Sequence, residues 1–169
     1  MNPNRRRRSP AWCDACVAAL VLVLAGLAMA SAHAHATQVG DLTIDHPYAT
    51  PTTPGSRTGA VHFRALVNRG RVADRLVGAR TTLAESVQIQ RRVMDGDVPR
   101  MRRIEAIEIP AGAQLKLRHD GDTQLTLLGL KASLQDGQRF SLWVRFERAG
   151  EHEVPVWVQA PRDTAPHRH

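Results

Sequence analysis

The sequence predicts an all-β domain that follows an N-terminal export signal. Apolar and polar residues alternate in several short runs, turn-forming residues separate these runs, and no long helical periodicity appears after residue 36. A period of two residues is typical of half-buried β-strands. About eight or nine strands at this spacing indicate a β-sandwich or a β-barrel.

The first 36 residues have the three-part layout of a secretory signal peptide. A basic run (Arg5–Arg8) precedes an uncharged apolar stretch (Val17–Met29), and Ala-x-Ala triplets end at Ala32, Ala34 and Ala36. This layout predicts export to the periplasm by the general secretion route, with cleavage among these alanines. A membrane anchor is the alternative, but the apolar stretch is shorter than the ~20 residues that a span requires.

The expected mature chain is one domain at residues 37–160, followed by a loose tail at residues 161–169. Cys13 and Cys16 both lie in the signal, and neither stands at a cleavage site, so we expect no lipid anchor and no thiolate in the domain. Losing the signal's four arginines and one aspartate lowers the formal net charge from +7 to +4. This mild excess does not indicate nucleic-acid binding.

Three alternating runs define the predicted core strands. They lie at residues 61–68, 140–146 and 154–158, and their apolar positions are expected to face one core that includes Phe63, Phe140, Leu142, Val144 and Phe146. Pro155 cannot donate a backbone hydrogen bond, so the last strand is expected at a sheet edge. Turns are expected at Pro54-Gly55, Asp95-Gly96, Pro110-Ala111-Gly112, Asp120-Gly121, Asp136-Gly137 and Ala149-Gly150.

Several short stretches, in order and at similar spacing from Leu42 to Val158, resemble the periplasmic copper chaperones of the PCu(A)C type. The stretches are Ile44–Ala49, Asp74–Ala79, Ala84–Val87, Asp95-Gly96, Met101-Arg102, Ile107–Gly112, Leu128–Leu130, Leu134–Gly137 and Phe146–Gly150. The resemblance implies a cupredoxin-like Greek-key β-sandwich. It also implies a protein, not an enzyme, that supplies Cu(I) to the copper centre of cytochrome c oxidase. The implied partner is an oxidase assembly factor or the copper-centre subunit.

The sequence departs from that family at the copper ligands. The family binds Cu(I) through a His, a Met and a later His-x-Met pair. The first Met is present as Met101, whereas the first His corresponds to Gln90 and the pair corresponds to Gln124 and Thr126. The pair also follows one extra residue in the preceding turn, which could shift its register. Copper binding through this degenerate set is therefore expected to be weak or absent, since Cu(I) prefers thioether, thiolate or imidazole donors.

Strand alternation predicts that these positions lie on the side of the sheet away from the core. Val87, Ile89, Leu125 and Leu127 are expected to face inward, which turns Gln88, Gln90, Gln124 and Thr126 outward. We therefore expect the backbone positions of the family site, which we call its frame, to be retained while the metal-binding side chains at these positions have changed.

Other residues could supply replacement donors. Met94 lies close to Met101 in sequence and could be a second thioether or a packing residue. His119 precedes Gln124 and could be a replacement imidazole or an exposed turn residue. His46 and His62 are expected to be structural, and His152, at the start of the last strand, has no evident role. The His-x-His ends, His33-Ala34-His35 and His167-Arg168-His169, could hold Cu(II) or Ni(II) weakly.

Five arginines flank the family ligand positions: Arg91, Arg92, Arg100, Arg102 and Arg103. Such a cluster is either a solvated face or a docking surface for an acidic partner or anion. Two functions therefore follow from the sequence. One is a copper chaperone with weakened ligation, and the alternative is a metal-free periplasmic module that docks a partner through this arginine cluster.

Overall fold

A computed structural model describes residues 36–160, and every regular element in this range is a β-strand. None of the described residues forms a helix of the length and apolarity that a membrane crossing requires. The strands are β1 (Ala36–Val39), β2 (Leu42–Ala49), β3 (Thr58–Asn68), β4 (Asp74–Arg80), β5 (Ser86–Asp95), β6 (Val98–Arg103), β7 (Ile107–Ile109), β8 (Gln114–Leu117), β9 (Thr123–Leu128), β10 (Arg139–Phe146) and β11 (Gly150–Val158).

The strands form one continuous ladder in the order β6-β5-β9-β3-β2-β11-β10-β4-β7, with β1 paired to β2 and β8 paired to β3. The pairing is antiparallel except between β2 and β11, which are parallel and meet only where Tyr48 and Ala49 lie beside Trp157 and Val158. The two halves of the ladder pack around one apolar core. This confirms the predicted all-β class, although residues 36–160 contain eleven strands, not the expected eight or nine.

The predicted core residues lie together. Phe63, Leu142, Val144 and Phe146 are buried in one cluster, as expected, while Phe140 is half-buried and packs against the margin of that cluster. Burial of large aromatic and aliphatic side chains supplies most of the favourable free energy of folding in a domain of this size.

Two expectations about the strands are wrong. The strand that carries Pro155 is not at a sheet edge, because β11 lies between β10 and β2. The proline is tolerated because, among the strands of residues 36–160, the part of β11 around it pairs with β10 alone, opposite Ser141, and has no partner strand on its other side. In β3, His62 and Leu66 alternate with the core residues but are buried as well, because Tyr48 and His119 lie against His62 and the register with β8 is irregular between Phe63 and Leu66.

The strands β5 and β6 form a hairpin at one end of the ladder. Asp95 pairs with Val98, so Gly96 and Asp97 make a two-residue turn, and Gly96 has the positive φ of 62° that such a turn requires. Every residue of β6 is exposed to solvent. The hairpin therefore presents its side chains on the surface beside the positions that the sequence singled out.

Candidate metal centre

The family ligand positions on β5 and β9 meet on one face of the sheet. Gln90 pairs directly with Gln124, and Gln88 pairs with Thr126. Residues that pair across antiparallel strands project on the same side. The extra residue in the turn before β9 therefore does not rotate Gln124 and Thr126 toward the core, and the predicted frame is present.

These four side chains are hydrogen-bonded to one another, and we call them the amide network. Gln124 Nε2 donates to Thr126 Oγ1 at 3.2 Å, and Thr126 Oγ1 donates to Gln90 Oε1 at 2.9 Å. Gln90 Nε2 in turn donates to Gln88 Oε1 at 3.2 Å. Thr126 is only 8% exposed, so its hydroxyl depends on these partners. Amide and hydroxyl oxygens that already bond one another are poor ligands for a soft cation.

The thioethers of Met94 and Met101 lie on the same face, farther along the hairpin. Met101 pairs with Arg92, which places it diagonally between Gln90 and Met94 in the β5–β6 ladder. Diagonal neighbours lie about 7–8 Å apart at Cα, within reach of long side chains. Met94 is 63% exposed and Met101 is 39% exposed. The register therefore places the two methionines on one exposed face, within reach of each other, and we call them the thioether pair.

His119, the other predicted donor, contacts a different group of residues. It lies in the turn between β8 and β9, where its ring Nδ1 is 3.1 Å from Tyr48 Oη. Its backbone N–H donates to the same oxygen at 3.1 Å. Its ring also lies edge-on to that of His62, with a centroid separation of 6.3 Å. Tyr48, His62 and His119 form what we call the imidazole cluster.

His62 is the functional candidate that sequence reasoning missed. It lies opposite Tyr48 in the β2–β3 ladder and is 2% exposed, with its ring centroid 5.2 Å from that of Tyr48. Burial, together with the nearby His119, lowers the pKa of His62 to about 4, although Asp120 and the Leu117 backbone act in the opposite direction. His62 is therefore neutral at physiological pH. Its position in an alternating strand gave no sign that the rings of Tyr48 and His119 would lie against it.

The remaining histidines in the described range have other hydrogen bonds. His46 has a positive φ of 48°, and Gln159 Nε2 donates to its Nε2 at 2.8 Å. His152 Nε2 donates to the carbonyl oxygen of Ala149 at 2.8 Å. The two His-x-His ends lie outside the described residues. Within residues 36–160, no group of three or more His, Cys, Asp or Glu side chains is placed to hold a metal ion.

The arginine cluster is spread over both faces of the hairpin, and all five side chains are exposed. Arg100 pairs with Asp95 at 3.2 Å, and the other four arginines have no ion pair within the described part of the chain. Arg92 lies directly opposite Met101, and Arg103 lies opposite Gln90. The charge beside the thioether pair is therefore positive, which opposes the binding of a cation there.

Comparisons with known proteins agree with this architecture. The profile of the LpqE-like family, described as "Putative lipoprotein LpqE-like", matches residues 42–158. The "Putative lipoprotein Lxx21020" of Leifsonia xyli subsp. xyli is 30% identical over 147 residues, which cover 85% of this chain and 86% of that protein.

Two solved structures share the fold. The copper-bound PCuAC domain from PmoF2 has a TM-score of 0.63 at 24% identity, with 75% of this chain and 99% of that domain covered. The Cu(I) form of DR1885 from Deinococcus radiodurans has a TM-score of 0.57 at 27% identity, with 80% of this chain and 87% of that chain covered. The cupredoxin-like β-sandwich that the sequence resemblance implied is therefore confirmed.

Proposed function

Since the chain belongs to the LpqE-like family, we propose that it is an exported copper-handling domain that binds Cu(I) weakly and exchangeably. The observation that supports this proposal is the convergence of the family ligand positions, with Met101, on one face of β5, β6 and β9. The Cu(I)-bound state of DR1885, which has the same fold, supports copper as the cargo.

Weak binding follows from the chemistry of the side chains now present. The amide network offers only oxygen and amide donors, whereas both soft donors belong to the thioether pair. A cation about 8 Å from one arginine is repelled by roughly 0.5 kcal/mol in water, and several arginines surround this position. The thioether pair is also well exposed, so a bound ion exchanges readily with a partner or chelator.

A Cu(I) competition titration against chelators of graded affinity tests this proposal. The parent protein, purified after export, is expected to lose copper to a moderate chelator. The variant Met94→Leu/Met101→Leu is expected to bind more weakly, and Val98→Leu, an exposed change on the same hairpin, serves as the matched control. Tight copper retention by the parent, or no copper binding at all, would show the proposal to be wrong.

Export without a lipid anchor forms part of this proposal. The relative from Leifsonia is named a lipoprotein, but Cys13 and Cys16 of this chain precede the apolar stretch and stand at no cleavage site. We expect a mature N-terminus between His33 and Thr37 and a freely diffusing periplasmic protein. Mass spectrometry of the exported protein measures this directly, and retention of either cysteine, or an acylated N-terminus, contradicts it.

The arginine cluster favours a second function, a docking surface for an acidic partner such as an oxidase assembly factor or copper-centre subunit. Four of its five arginines have no carboxylate partner in the described range, and the hairpin that carries them is exposed. Binding of a polyglutamate peptide is expected to weaken with added salt and in Arg92→Ser/Arg102→Ser. Arg57→Ser, which changes an arginine already paired with Glu85, is the control.

A further inference from the structure

The starting observation is an unsatisfied atom in the imidazole cluster. Nδ1 of His62 is buried and has no hydrogen-bond partner among the described residues. Buried polar atoms in folded proteins are nearly always partnered, and an ion or ordered water is a common partner where the protein supplies none. A neutral imidazole carries its lone pair on one ring nitrogen and its proton on the other, so Nδ1 is a metal ligand in the tautomer that has the proton on Nε2.

The second imidazole is held in a fixed orientation. Tyr48 Oη contacts both Nδ1 and the backbone N–H of His119, which leaves Nε2 as the ring nitrogen without a hydrogen bond in the described part of the chain. Histidine ligands usually bind metal through one nitrogen while a hydrogen bond at the other fixes the ring. With metal–nitrogen bonds of about 2.0–2.1 Å, two imidazoles on one ion have ring centres up to roughly 6.5 Å apart. The observed separation of 6.3 Å fits this limit.

The imidazole cluster is also adjacent to the amide network. β3 and β9 pair Ala60 with Thr126 and Val61 with Leu125. The next residues along the two strands, after Val61 and Leu125, are His62 and Gln124. Their side chains project on the same side of the sheet as those of Ala60 and Thr126. The family has an imidazole at the position of Gln124 on β9, and in this chain His62 supplies an imidazole on the neighbouring strand β3.

We propose that His62 and His119 form a two-imidazole copper site, with Tyr48 as the residue that positions the ring of His119. The proposal takes its cargo from the proposed function but assigns it to residues outside the thioether pair. Imidazole nitrogen is a good copper ligand, and Cu(I) accepts two donors in a near-linear arrangement. The carboxylate of Asp120 lies near His62 and 3.7 Å from Arg118, so the positive charge of that arginine is partly balanced here, in contrast to Arg92 beside Met101, which has no ion pair among residues 36–160.

Copper titration of the protein purified after export, followed residue by residue, tests the site. Cu(I) is added under reducing conditions while the imidazole ¹⁵N resonances of His62 and His119 are monitored, and X-ray absorption of the loaded protein measures imidazole scattering. Residue-level resonances separate these rings from the His-x-His ends. His119→Gln is expected to weaken this binding by at least tenfold, and Tyr48→Phe by about tenfold through the loss of ring positioning. His152→Gln is the matched control and should change nothing.

The outcomes separate this inference from the proposed function. Shifts at His62 and His119 that persist in Met94→Leu/Met101→Leu and disappear in His119→Gln support the two-imidazole site. If the thioether variant abolishes all copper binding and His119→Gln has no effect, the proposed function stands and this site is wrong. A parent that binds no copper overturns both, and preference for Zn²⁺ over Cu(I) at these rings overturns the copper assignment. His62→Gln is expected to weaken binding as His119→Gln does. Should it fail to fold, as judged by circular dichroism, His119→Gln and Tyr48→Phe still decide the question.

Discussion

The amide network and the imidazole cluster occupy neighbouring strands on the same side of the sheet, yet they satisfy their polar atoms in opposite ways. In the amide network, Gln90, Gln124 and Thr126 bond one another. In the imidazole cluster, His119 is held by Tyr48 while Nδ1 of His62 has no partner among the described residues.

This difference shows that a protein can keep the backbone arrangement of a metal site without keeping the side chains that bind the metal. The backbone register between β5 and β9 still brings the family ligand positions together, but the side chains at these positions hydrogen-bond to one another. Neither histidine of the neighbouring cluster lies in a stretch that carries the family resemblance, yet Nδ1 of His62 has no hydrogen-bond partner among residues 36–160. Donor capacity is therefore better judged from unsatisfied atoms than from positions equivalent to known ligands.

The largest expected effect comes from returning soft donors to the amide network. The change Gln90→His/Gln124→His/Thr126→Met gives two imidazoles and, with Met101, two thioethers on one face. We expect Cu(I) affinity to rise at least about a thousandfold, roughly 4 kcal/mol, because soft donors replace hard oxygens. Competition titration measures the gain, and adding Met101→Leu should remove part of it. No gain in a folded triple variant would mean that the three segments do not converge closely enough to share an ion.

The amide network and the imidazole cluster both lie on strands that pack on the apolar core. A core substitution therefore shows how large a loss of stability unfolding alone can cause. Phe63 follows His62 in β3 and is completely buried, whereas Phe140 is half-buried at the core margin. Phe63→Ala should cost about 3–5 kcal/mol of unfolding free energy. Phe140→Ala should cost less than about 2 kcal/mol, since less apolar area is lost from the core. Equal losses in urea unfolding would show that the two rings are not differently packed.

The sequence predicted the frame better than the site. Alternation along β5 and β9 correctly turned Gln88, Gln90 and Thr126 away from the core, because pleat direction depends only on local chain geometry. It failed for His62, whose ring lies against those of Tyr48 on β2 and His119 in a turn more than fifty residues later. It also could not anticipate that side chains on different strands would bond one another, since such pairing is set by register between segments and not by either segment alone.

Acid sensitivity should distinguish the imidazole cluster from the rest of the fold. The pKa of His62 falls from its usual 6.5 to about 4 in the folded protein, so between these values the unfolded chain binds a proton that the folded chain refuses. Stability from this residue is complete above pH 6.5 and declines as the pH falls toward 4, by about 3 kcal/mol in total. The groups that face the ring are Tyr48, His119 and Asp120.

The measurement is the unfolding free energy at pH 7 and pH 4 for the parent, His62→Gln and His152→Gln. The His62 variant should lose less stability on acidification than the parent, whereas the His152 variant should follow the parent. An unchanged acid response in His62→Gln would mean that the buried ring is not the source of the loss, and carboxylates elsewhere would then account for it.

The smallest effect concerns the hydroxyl at the centre of the amide network. Thr126→Val keeps the shape of the side chain but removes both the donor to Gln90 and the acceptor for Gln124. Because Thr126 is buried, its former partners are left incompletely bonded, and we expect a loss of about 1 kcal/mol in unfolding free energy. Thr123→Val is the matched control on the same strand, since Thr123 Oγ1 receives only a long hydrogen bond of 3.4 Å from Arg91. If both changes cost equally little, solvent satisfies the amide side chains. The hydrogen bonds of the amide network would then contribute nothing to stability, and the contrast with the imidazole cluster would disappear.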